Sequence, residues 1–211
     1  MLLSGGIDSA TCLYLARRDG HSVRALTVRI HGTGKSELAA ARRVGRAGKV
    51  VEHRFVSIPE LKEAGDMRGT KDPSWMAVPA TYVPMKNAIY YSLAAGYAEE
   101  KRADLLIGGH NADDVRVFED TSEEFFADLR KTLYSASPRF RTNGLVILRP
   151  LSRLSKPEVV RFAAQVGVPF QLTWSCNRAG AAHCWRCDGC AQRREAFEKA
   201  GIVDPLKPKK V

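Results

Sequence analysis

Short apolar runs alternate along the chain with longer segments of helical periodicity. The apolar or β-branched runs cover residues 1–3, 22–30, 50–57, 104–109 and 145–149. Apolar positions three and four apart predict helices over residues 8–18, 35–46, 84–101, 122–134, 155–166 and 188–200. Because such alternation is typical of α/β proteins, we predict a parallel sheet with helices on both faces.

Two stretches depart from this pattern. Residues 1–3 are shorter than the typical strand of about five or six residues, which leaves open a chain that starts upstream. Residues 58–82 contain two glycines and three prolines and have no periodic apolar positions. Loops longer than about 15 residues are uncommon in compact domains and often act as lids, so this segment is either a functional lid or simply disordered.

Length and composition indicate one globular domain with a small appendage. The 211 residues are 45% hydrophobic and 27% charged, and no window approaches the roughly 18 apolar residues of a membrane span. The N-terminus has neither the basic region nor the apolar region of a signal peptide. We therefore expect a cytoplasmic protein without membrane contact.

A phosphate site is predicted where the first strand meets the first helix. Gly5 and Gly6 allow a tight turn that brings backbone N–H groups close to an anion, and the helix start adds unpaired donors. Ser4 and Ser9 can donate hydroxyl hydrogen bonds to phosphate oxygens. Asp8 would repel bare polyphosphate, which suggests an intervening Mg²⁺ ion. The alternative is an ordinary turn in which Asp8 or Ser9 caps the helix.

The complete hexapeptide of residues 4–9, Ser-Gly-Gly-Ile-Asp-Ser, resembles the signature of the PP-loop ATP pyrophosphatases. It lacks the Gly-Lys-Ser/Thr ending of a Walker A loop. The resemblance implies a Rossmann-like PP-loop fold and cleavage of ATP between the α and β phosphates. An AMP-activated acceptor and pyrophosphate would result, with Asp8 and Ser9 acting in catalysis.

Four cysteines follow the spacing C-x7-C-x2-C-x2-C near the end of the chain: Cys176, Cys184, Cys187 and Cys190. Such short spacings let a turn and a helix start direct several thiolates at one tetrahedral Zn²⁺. An iron–sulfur cluster has compatible spacing. Four sulfurs leave no place for water or substrate, so we expect a structural zinc. The fifth cysteine, Cys12, lies among packing positions of the first helix and is predicted to be a core residue.

The formal net charge of +10 favours anionic partners. Four thiolates on one zinc ion would lower this total to about +8. A nucleic acid would be attracted by the remaining excess, and so would ATP together with an anionic small molecule. Net charge alone therefore does not distinguish a nucleic-acid partner from small anionic substrates.

Further segments, together with the loop and the cysteines, resemble the QueC family of 7-cyano-7-deazaguanine synthases over most of the chain. They cover residues 4–9, 82–87, 108–114, 172–176, 184–190 and 193–197. The resemblance implies an ATP-dependent synthase that forms C–N bonds. ATP and Mg²⁺ would activate the carboxylate of 7-carboxy-7-deazaguanine, ammonia would give an amide, and a second activation would give the nitrile.

Five residues outside the phosphate loop take expected roles from this resemblance. Lys86 and Asn87 follow a family element in which arginine is more usual than lysine, so a bidentate contact there is not expected. Asn111 and Asp113 fall in a strand-end loop that implies substrate binding, although both are also common turn residues. Lys156 opens a helix and either reaches phosphate or is a solvated helix start.

Two segments differ from the family pattern: residues 29–35 and residues 114–125. The second contains five carboxylates, which would repel a free carboxylate substrate unless they face solvent or pair with arginines such as Arg116. We therefore predict an acceptor that carries a deazaguanine-like base but is not necessarily the free base. A QueC-like component of a bacterial antiphage defence system, modifying a protein or nucleic-acid partner, is the main alternative.

Two other functions are less compatible with the sequence. A PP-loop tRNA thiolation enzyme generally needs catalytic cysteines, and only Cys12 remains once zinc takes four. A nucleotide-binding module without catalysis would not need the intact loop. We expect a homodimer and divide the chain into a PP-loop domain (1–170), a zinc-binding segment (171–204) and a basic tail (205–211).

Overall fold

Parallel strands on either side of residues 1–3 form the centre of the molecule. In the computed structural model, which describes residues 1–67, 76–178 and 180–207, the four strands are β1 (Arg24–Ile30), β2 (Glu52–Ile58), β3 (Leu105–Ile107) and β4 (Val146–Leu148). β1 pairs with β2 and β3 pairs with β4. The N–H of Leu3 donates to Leu26 O at 2.9 Å and that of Leu2 to Ile107 O at 3.1 Å. Residues 1–3 therefore join the two pairs in the order β2, β1, 1–3, β3, β4.

Helices connect these strands. They are α1 (Ile7–Arg18), α2 (Lys35–Ala47), α3 (Ala64–Met67), α4 (Lys86–Glu100), α5 (Ala112–Val117), α6 (Glu123–Ala136), α7 (Pro138–Asn143), α8 (Lys156–Gln165) and α9 (Asp188–Ala200). The six predicted helices end within two residues of the observed bounds. The sequence did not predict α3, α5 or α7. Side-chain caps at Asn111 and Ser137 begin α5 and α7, which are too short to show an apolar period.

Neighbouring residues of the central strands face opposite layers of helices. Leu3, Ala25 and Ile107 pack in one core with apolar residues of α1, α2, α8 and α9. Leu26 and Leu106 pack in a second core with α4, α6 and α7. This alternation, which follows from the period of two in a strand, confirms the predicted parallel sheet with helices on both faces. Residues 1–3 form only an isolated bridge and not the predicted strand, because they are so few.

The long segment 58–82 is held together at its base. The N–H of Ala64 donates to Tyr82 O at 2.7 Å, and that of Gly65 donates to Ala80 O at 2.8 Å. Residues 68–75, on which the prediction of a lid or a disordered loop partly falls, lie outside the described residues.

The C-terminal residues return to the main core. Phe197 of α9 packs in the same core as α1, and Lys207 forms an ion pair of 3.0 Å with Glu198. Residues 208–211 of the predicted basic tail lie outside the described residues. Within the described ranges, the structure contains no helix with the length and apolarity needed to cross a membrane.

Candidate active site

The loop of residues 4–6 turns sharply into α1. Gly5 has a φ of +86°, and a Cβ there would overlap the backbone of Ala40 and Ala41 in α2. The hydroxyl of Ser9 accepts from the N–H of Ser4 at 3.2 Å and donates to Gly6 O at 3.2 Å. A glycine at position 5 is therefore required both for its backbone angle and for its close contact with α2.

The carboxylate of Asp8 accepts hydrogen bonds from side chains of two other elements. Its Oδ2 accepts from Asn111 Nδ2 at 3.0 Å and from Lys156 Nζ at 2.5 Å. Its Oδ1 is buried and has no hydrogen-bond partner among the described residues. Three residues singled out from the sequence thus meet at the start of α1, although Asn111 caps α5 and Lys156 opens α8.

Lys156 keeps its positive charge in this setting. Burial disfavours the charged form, but the charge and hydrogen bond of Asp8, together with the charges of Asp114 and Asp113, outweigh burial, so the pKa of Lys156 lies above its usual value. Burial, and next the charge of Asp8, raise the pKa of Asp114 nearby. Lys156 is therefore a cation with the carboxylates of Asp8, Asp113 and Asp114 around it.

Asn111 both shapes its loop and reaches Asp8. The residue is only 2% exposed, and its Oδ1 accepts from the backbone N–H groups of Asp113 and Asp114 at 2.8 and 3.2 Å. The turn-forming role considered from the sequence is therefore present together with the contact to Asp8. The carboxylate of Asp113 binds Arg116 and the N–H of Lys156, and Asp113 does not line the cleft described next.

A cleft of about 390 Å³ opens beside the phosphate loop. Of the residues singled out from the sequence, those that line it are Ser4, Gly6, Asp8, Ser9, Lys86, Asn87 and Lys156. Gly5 and Asn111 lie behind this lining, where they shape the loop and hold Asp8. The cleft is also lined by residues for which no role was predicted, among them Tyr90, His110, Asp120 and Arg193.

His110 is one of these missed residues. Its Nε2 lies 3.1 Å from the hydroxyl of Tyr91, and its ring lies 5.6 Å from that of Phe126. Burial, and then the charges of Lys86 and Arg149, lower the pKa of His110 to about 4, so the ring is neutral at neutral pH. The signal available in the sequence was its position, three residues after the end of β3.

The acidic segment 114–125 is divided between the cleft and the solvent. Asp114 and Asp120 line the cleft, and Asp120 accepts from the backbone N–H of Asn87 at 3.0 Å. The other three carboxylates of this segment are exposed: Glu119, Glu123 and Glu124. Two carboxyl groups of this segment therefore remain beside the cleft.

The four cysteines converge as their spacing predicted. Their sulfur atoms lie within 4.8 Å of one another, with 3.9 Å between Cys184 and Cys190 and 3.8 Å between Cys187 and Cys176. A tetrahedral ion with Zn–S bonds of about 2.3 Å requires sulfurs about 3.8 Å apart, so the group fits zinc. Cys12 is fully buried in the main core, as predicted.

The cysteine segment contacts the phosphate loop. The N–H of Trp174 donates to Gly5 O at 2.9 Å, and its indole Nε1 donates to Cys176 O at 2.7 Å. On the same segment, Ser175 donates its N–H to Nε2 of His183 at 3.1 Å. Trp174 therefore connects the cysteine segment to the phosphate loop by hydrogen bonds to both.

Arg193 fixes this segment from the side of α9. Its guanidinium binds both carboxylate oxygens of Asp204, at 2.6 and 2.9 Å, and donates to Thr173 Oγ1 at 2.8 Å. The side chains of Arg193 and Asp204 are only 0% and 2% exposed. Arg193 thus borders the cleft with its donors already engaged.

Comparison with known families agrees with this arrangement of loop, cleft and cysteines. The model of the family described as queuosine biosynthesis protein QueC matches residues 1–201. The chain belongs to the QueC family. A relative named 7-cyano-7-deazaguanine synthase from Stenotrophomonas maltophilia is 38% identical over 213 residues, covering 97% of this chain and 96% of the relative. One from Acetivibrio thermocellus is 34% identical over 217 residues, covering 98% and 95%.

Solved structures share the fold. NMN synthetase from Francisella tularensis aligns with a TM-score of 0.52 and 19% identity, covering 96% of this chain and 76% of that chain. The NH3-dependent NAD synthetase from Campylobacter jejuni aligns with a TM-score of 0.50 and 20% identity, covering 81% and 64%. At these identities the likeness shows the fold alone, which is the predicted PP-loop α/β class.

Proposed function

We propose that this protein converts 7-carboxy-7-deazaguanine and ammonia to 7-cyano-7-deazaguanine at the expense of ATP. Membership of the QueC family supports the reaction, since relatives across nearly the full length carry that enzyme's name. The observation that carries the proposal is the cluster of Asp8, Lys156 and Asn111 at the phosphate loop. It brings together a cation, a carboxylate and helix donors where a triphosphate would be bound.

In the first step, a carboxylate oxygen of the substrate attacks the α phosphorus of ATP and pyrophosphate leaves. Ser4, Ser9 and the N–H groups at the start of α1 would bind the phosphates. Lys156 would stabilise the negative charge that develops on them. Adenylation is needed because a carboxylate oxygen is a poor leaving group until AMP is attached.

Asp8 is the residue of this chain that would hold Mg²⁺ at the phosphate loop. The fit rests on Asp8 Oδ1, a buried oxygen without a hydrogen-bond partner among the described residues. Carboxylate oxygens are preferred Mg²⁺ ligands, and the ion would neutralise phosphate charge when bound. Lys156 and Asn111, both bound to Oδ2, keep the carboxylate oriented for this contact.

In the second step, the ammonia nitrogen attacks the activated carbonyl carbon, and AMP leaves with one oxygen of the original carboxylate. The resulting amide oxygen attacks the α phosphorus of a second ATP and pyrophosphate leaves, and loss of AMP and two protons then gives the nitrile. The cleft's main contribution is to hold both reactants in position, which replaces a collision by a positioned attack.

The deazaguanine base would occupy the part of the cleft farther from Lys156. Lys86 and Asn87 at the start of α4 are among the residues that line the cleft, and neutral His110 offers a polar ring. Lys86 presents a single charged nitrogen and not a planar fork, so a bidentate contact is not expected from it. Asp113, which does not line the cleft, would act only through its hydrogen bond to the N–H of Lys156.

Zn²⁺ would be held by all four clustered cysteines and would be structural. Four sulfurs complete a tetrahedral shell, which leaves no position for a substrate. Bound zinc would stabilise the segment that carries Trp174.

The proposal is tested by incubating the purified protein with Mg-ATP, ammonium and 7-carboxy-7-deazaguanine. We expect two AMP and two pyrophosphate for each nitrile, measured by mass spectrometry. The Lys156→Ala variant should fold and lose this turnover, whereas Lys62→Ala, at an exposed position away from the cleft, should keep it. Absence of both amide and nitrile under these conditions would contradict the proposal.

A second candidate is transfer of deazaguanine chemistry to a macromolecule, as in a QueC-like antiphage defence component. Asp114 and Asp120 favour it, because two carboxylates beside the cleft disfavour a free anionic substrate. Binding of the free acid and AMP formation without release of nitrile would support this candidate. Rapid release of the free nitrile would reject it.

A further inference from the structure

One face of α2 exposes only positive charge. Lys35, Arg42 and Arg46 project within an arc of about 40°, given the 100° step of an α-helix. Lys49 continues the row just beyond the helix, and Arg43 flanks it. All five side chains are exposed. We call these five residues the α2 stripe.

The stripe has no acidic counterpart in the described part of the chain. None of its five cations forms an ion pair there. The only acid of α2, Glu37, is half-buried, and burial raises its pKa. Single exposed lysines are ordinarily just solvated, but residues 35–49 extend one sign of charge over about 21 Å.

Arg42 is held in place within the stripe. Its guanidinium lies 4.0 Å over the ring of Phe55 on β2, and that ring lies 4.3 Å from the ring of His53. A cation–π contact of this kind reduces the freedom of the arginine, which lowers the entropy lost on binding. Burial and then the charge of Arg42 lower the pKa of His53 to about 4, in keeping with a positive local field.

We propose that the α2 stripe binds the phosphate backbone of a nucleic acid. A strand of duplex presents one phosphate per about 3.4 Å of axis, so a stripe of about 21 Å faces about six phosphates. Cations three and four residues apart on a helix are about 5–6 Å apart, which lets neighbouring side chains reach successive phosphates. Sequence-independent backbone contacts are what this charge pattern supports.

Two other occupants fit the surface less well. A second copy in a twofold contact would place the stripe against itself, with like charges opposite each other. A bilayer surface needs an exposed apolar helix face, but the apolar residues Ala40, Ala41 and Val44 of α2 are fully buried. A nucleic acid supplies the negative charge that a second copy of the stripe lacks, and its binding does not need an apolar helix face.

The stripe lies on the outside of a helix whose inner side supports the phosphate loop. Ala40 and Ala41 contact Gly5, whereas none of the five stripe residues lines the cleft. Nucleic-acid binding and small-molecule turnover are therefore separable. This inference does not depend on the proposed reaction, and each can fail while the other stands.

The test is the affinity for a fluorescent RNA of about 20 nucleotides, single-stranded and as a duplex, between about 50 and 200 mM salt. The stripe variant combines Arg43→Glu, Arg46→Glu and Lys49→Glu, whose side chains have no described partner. The matched control combines Arg102→Glu, Arg130→Glu and Arg141→Glu, whose side chains also have no described partner. This control makes the same change in net charge at exposed positions just after α4 and on α6 and α7, across the sheet.

We expect salt-dependent binding by the wild type and about 100-fold or greater loss in the stripe variant, with a shallower salt slope. The control should lose less than about 10-fold, and all three proteins should share one melting temperature and one rate of AMP formation. If both variants lose the same affinity for RNA, net charge alone explains the loss, and the proposal is overturned. Absence of wild-type binding at the lowest salt concentration would also overturn it.

Discussion

The backbone N–H of Trp174 donates a 2.9 Å hydrogen bond to the carbonyl oxygen of Gly5, which ties the cysteine segment to the phosphate loop. Two residues further along, Cys176 accepts from the indole of the same tryptophan. A change at the cysteines is therefore transmitted to the loop through one backbone contact. Stability and ATP binding should respond together when the metal is lost.

Replacing Cys187 by serine should abolish zinc binding, lower the melting temperature and raise KM for ATP. A hydroxyl is a poor substitute for a zinc-bound thiolate, and structural zinc contributes folding free energy. Metal analysis, thermal unfolding and an ATP titration measure the three effects. Cys12→Ala, in the core and away from the cluster, should keep the zinc. A wild-type protein without zinc, or an unchanged variant, would contradict the assignment.

Gly5→Ala should abolish ATP turnover, whereas Gly20→Ala should leave it nearly normal. Both glycines have a positive φ, +86° and +84°, so each alanine bears a strain of about 1–2 kcal/mol. Only at position 5 does the added Cβ meet a backbone, that of α2, while position 20 has open space. Similar activity of the two variants would show that close packing at Gly5 is unimportant.

Asp8→Ala should reduce AMP formation by about 100-fold or more while the protein remains folded. The change removes the proposed Mg²⁺ ligand and leaves Lys156 and Asn111 without their shared carboxylate. Asp19→Ala, at the exposed far end of α1, is the control. Steady-state kinetics over a range of Mg²⁺ concentrations measure the effect. Near-normal AMP release from Asp8→Ala would refute the role given to this residue.

Asp204→Ala should lower the free energy of unfolding by about 3–5 kcal/mol, because it leaves Arg193 as an uncompensated buried charge. Denaturant unfolding gives the value. The exposed pair of Lys131 and Asp128 is the comparison, and Lys131→Ala should cost about 0.5 kcal/mol or less. If the two substitutions cost the same, the buried pair does not hold the segment.

Local patterns made much of the candidate site predictable. The phosphate loop and the four cysteines are each read from a few consecutive residues, because short spacings restrict where the side chains can point. For Lys156, the sequence alone is compatible with a phosphate ligand and with a solvated residue at a helix start. Its contact with Asp8, 148 residues away along the chain, shows it within the site but required the fold.

Long-range pairs account for most of what the sequence did not predict. The bidentate contact between Arg193 and Asp204, with Thr173 attached, has no sequence signature, because each residue alone is an ordinary polar position. Likewise, α5 depends on a cap at Asn111 and not on an apolar period. The acidic segment 114–125 was recognised as unusual, but only the structure separates Asp114 and Asp120, at the cleft, from the exposed glutamates.

Oxygen isotopes can follow the proposed activation of a carboxylate by AMP at the loop that begins α1. The substrate is 7-carboxy-7-deazaguanine whose two carboxylate oxygens are ¹⁸O, incubated with Mg-ATP and ammonium. We expect two AMP molecules for each nitrile, each carrying one ¹⁸O, together with unlabelled pyrophosphate. Label appearing in inorganic phosphate together with ADP, or nitrile formed with unlabelled AMP, would contradict the proposed activation.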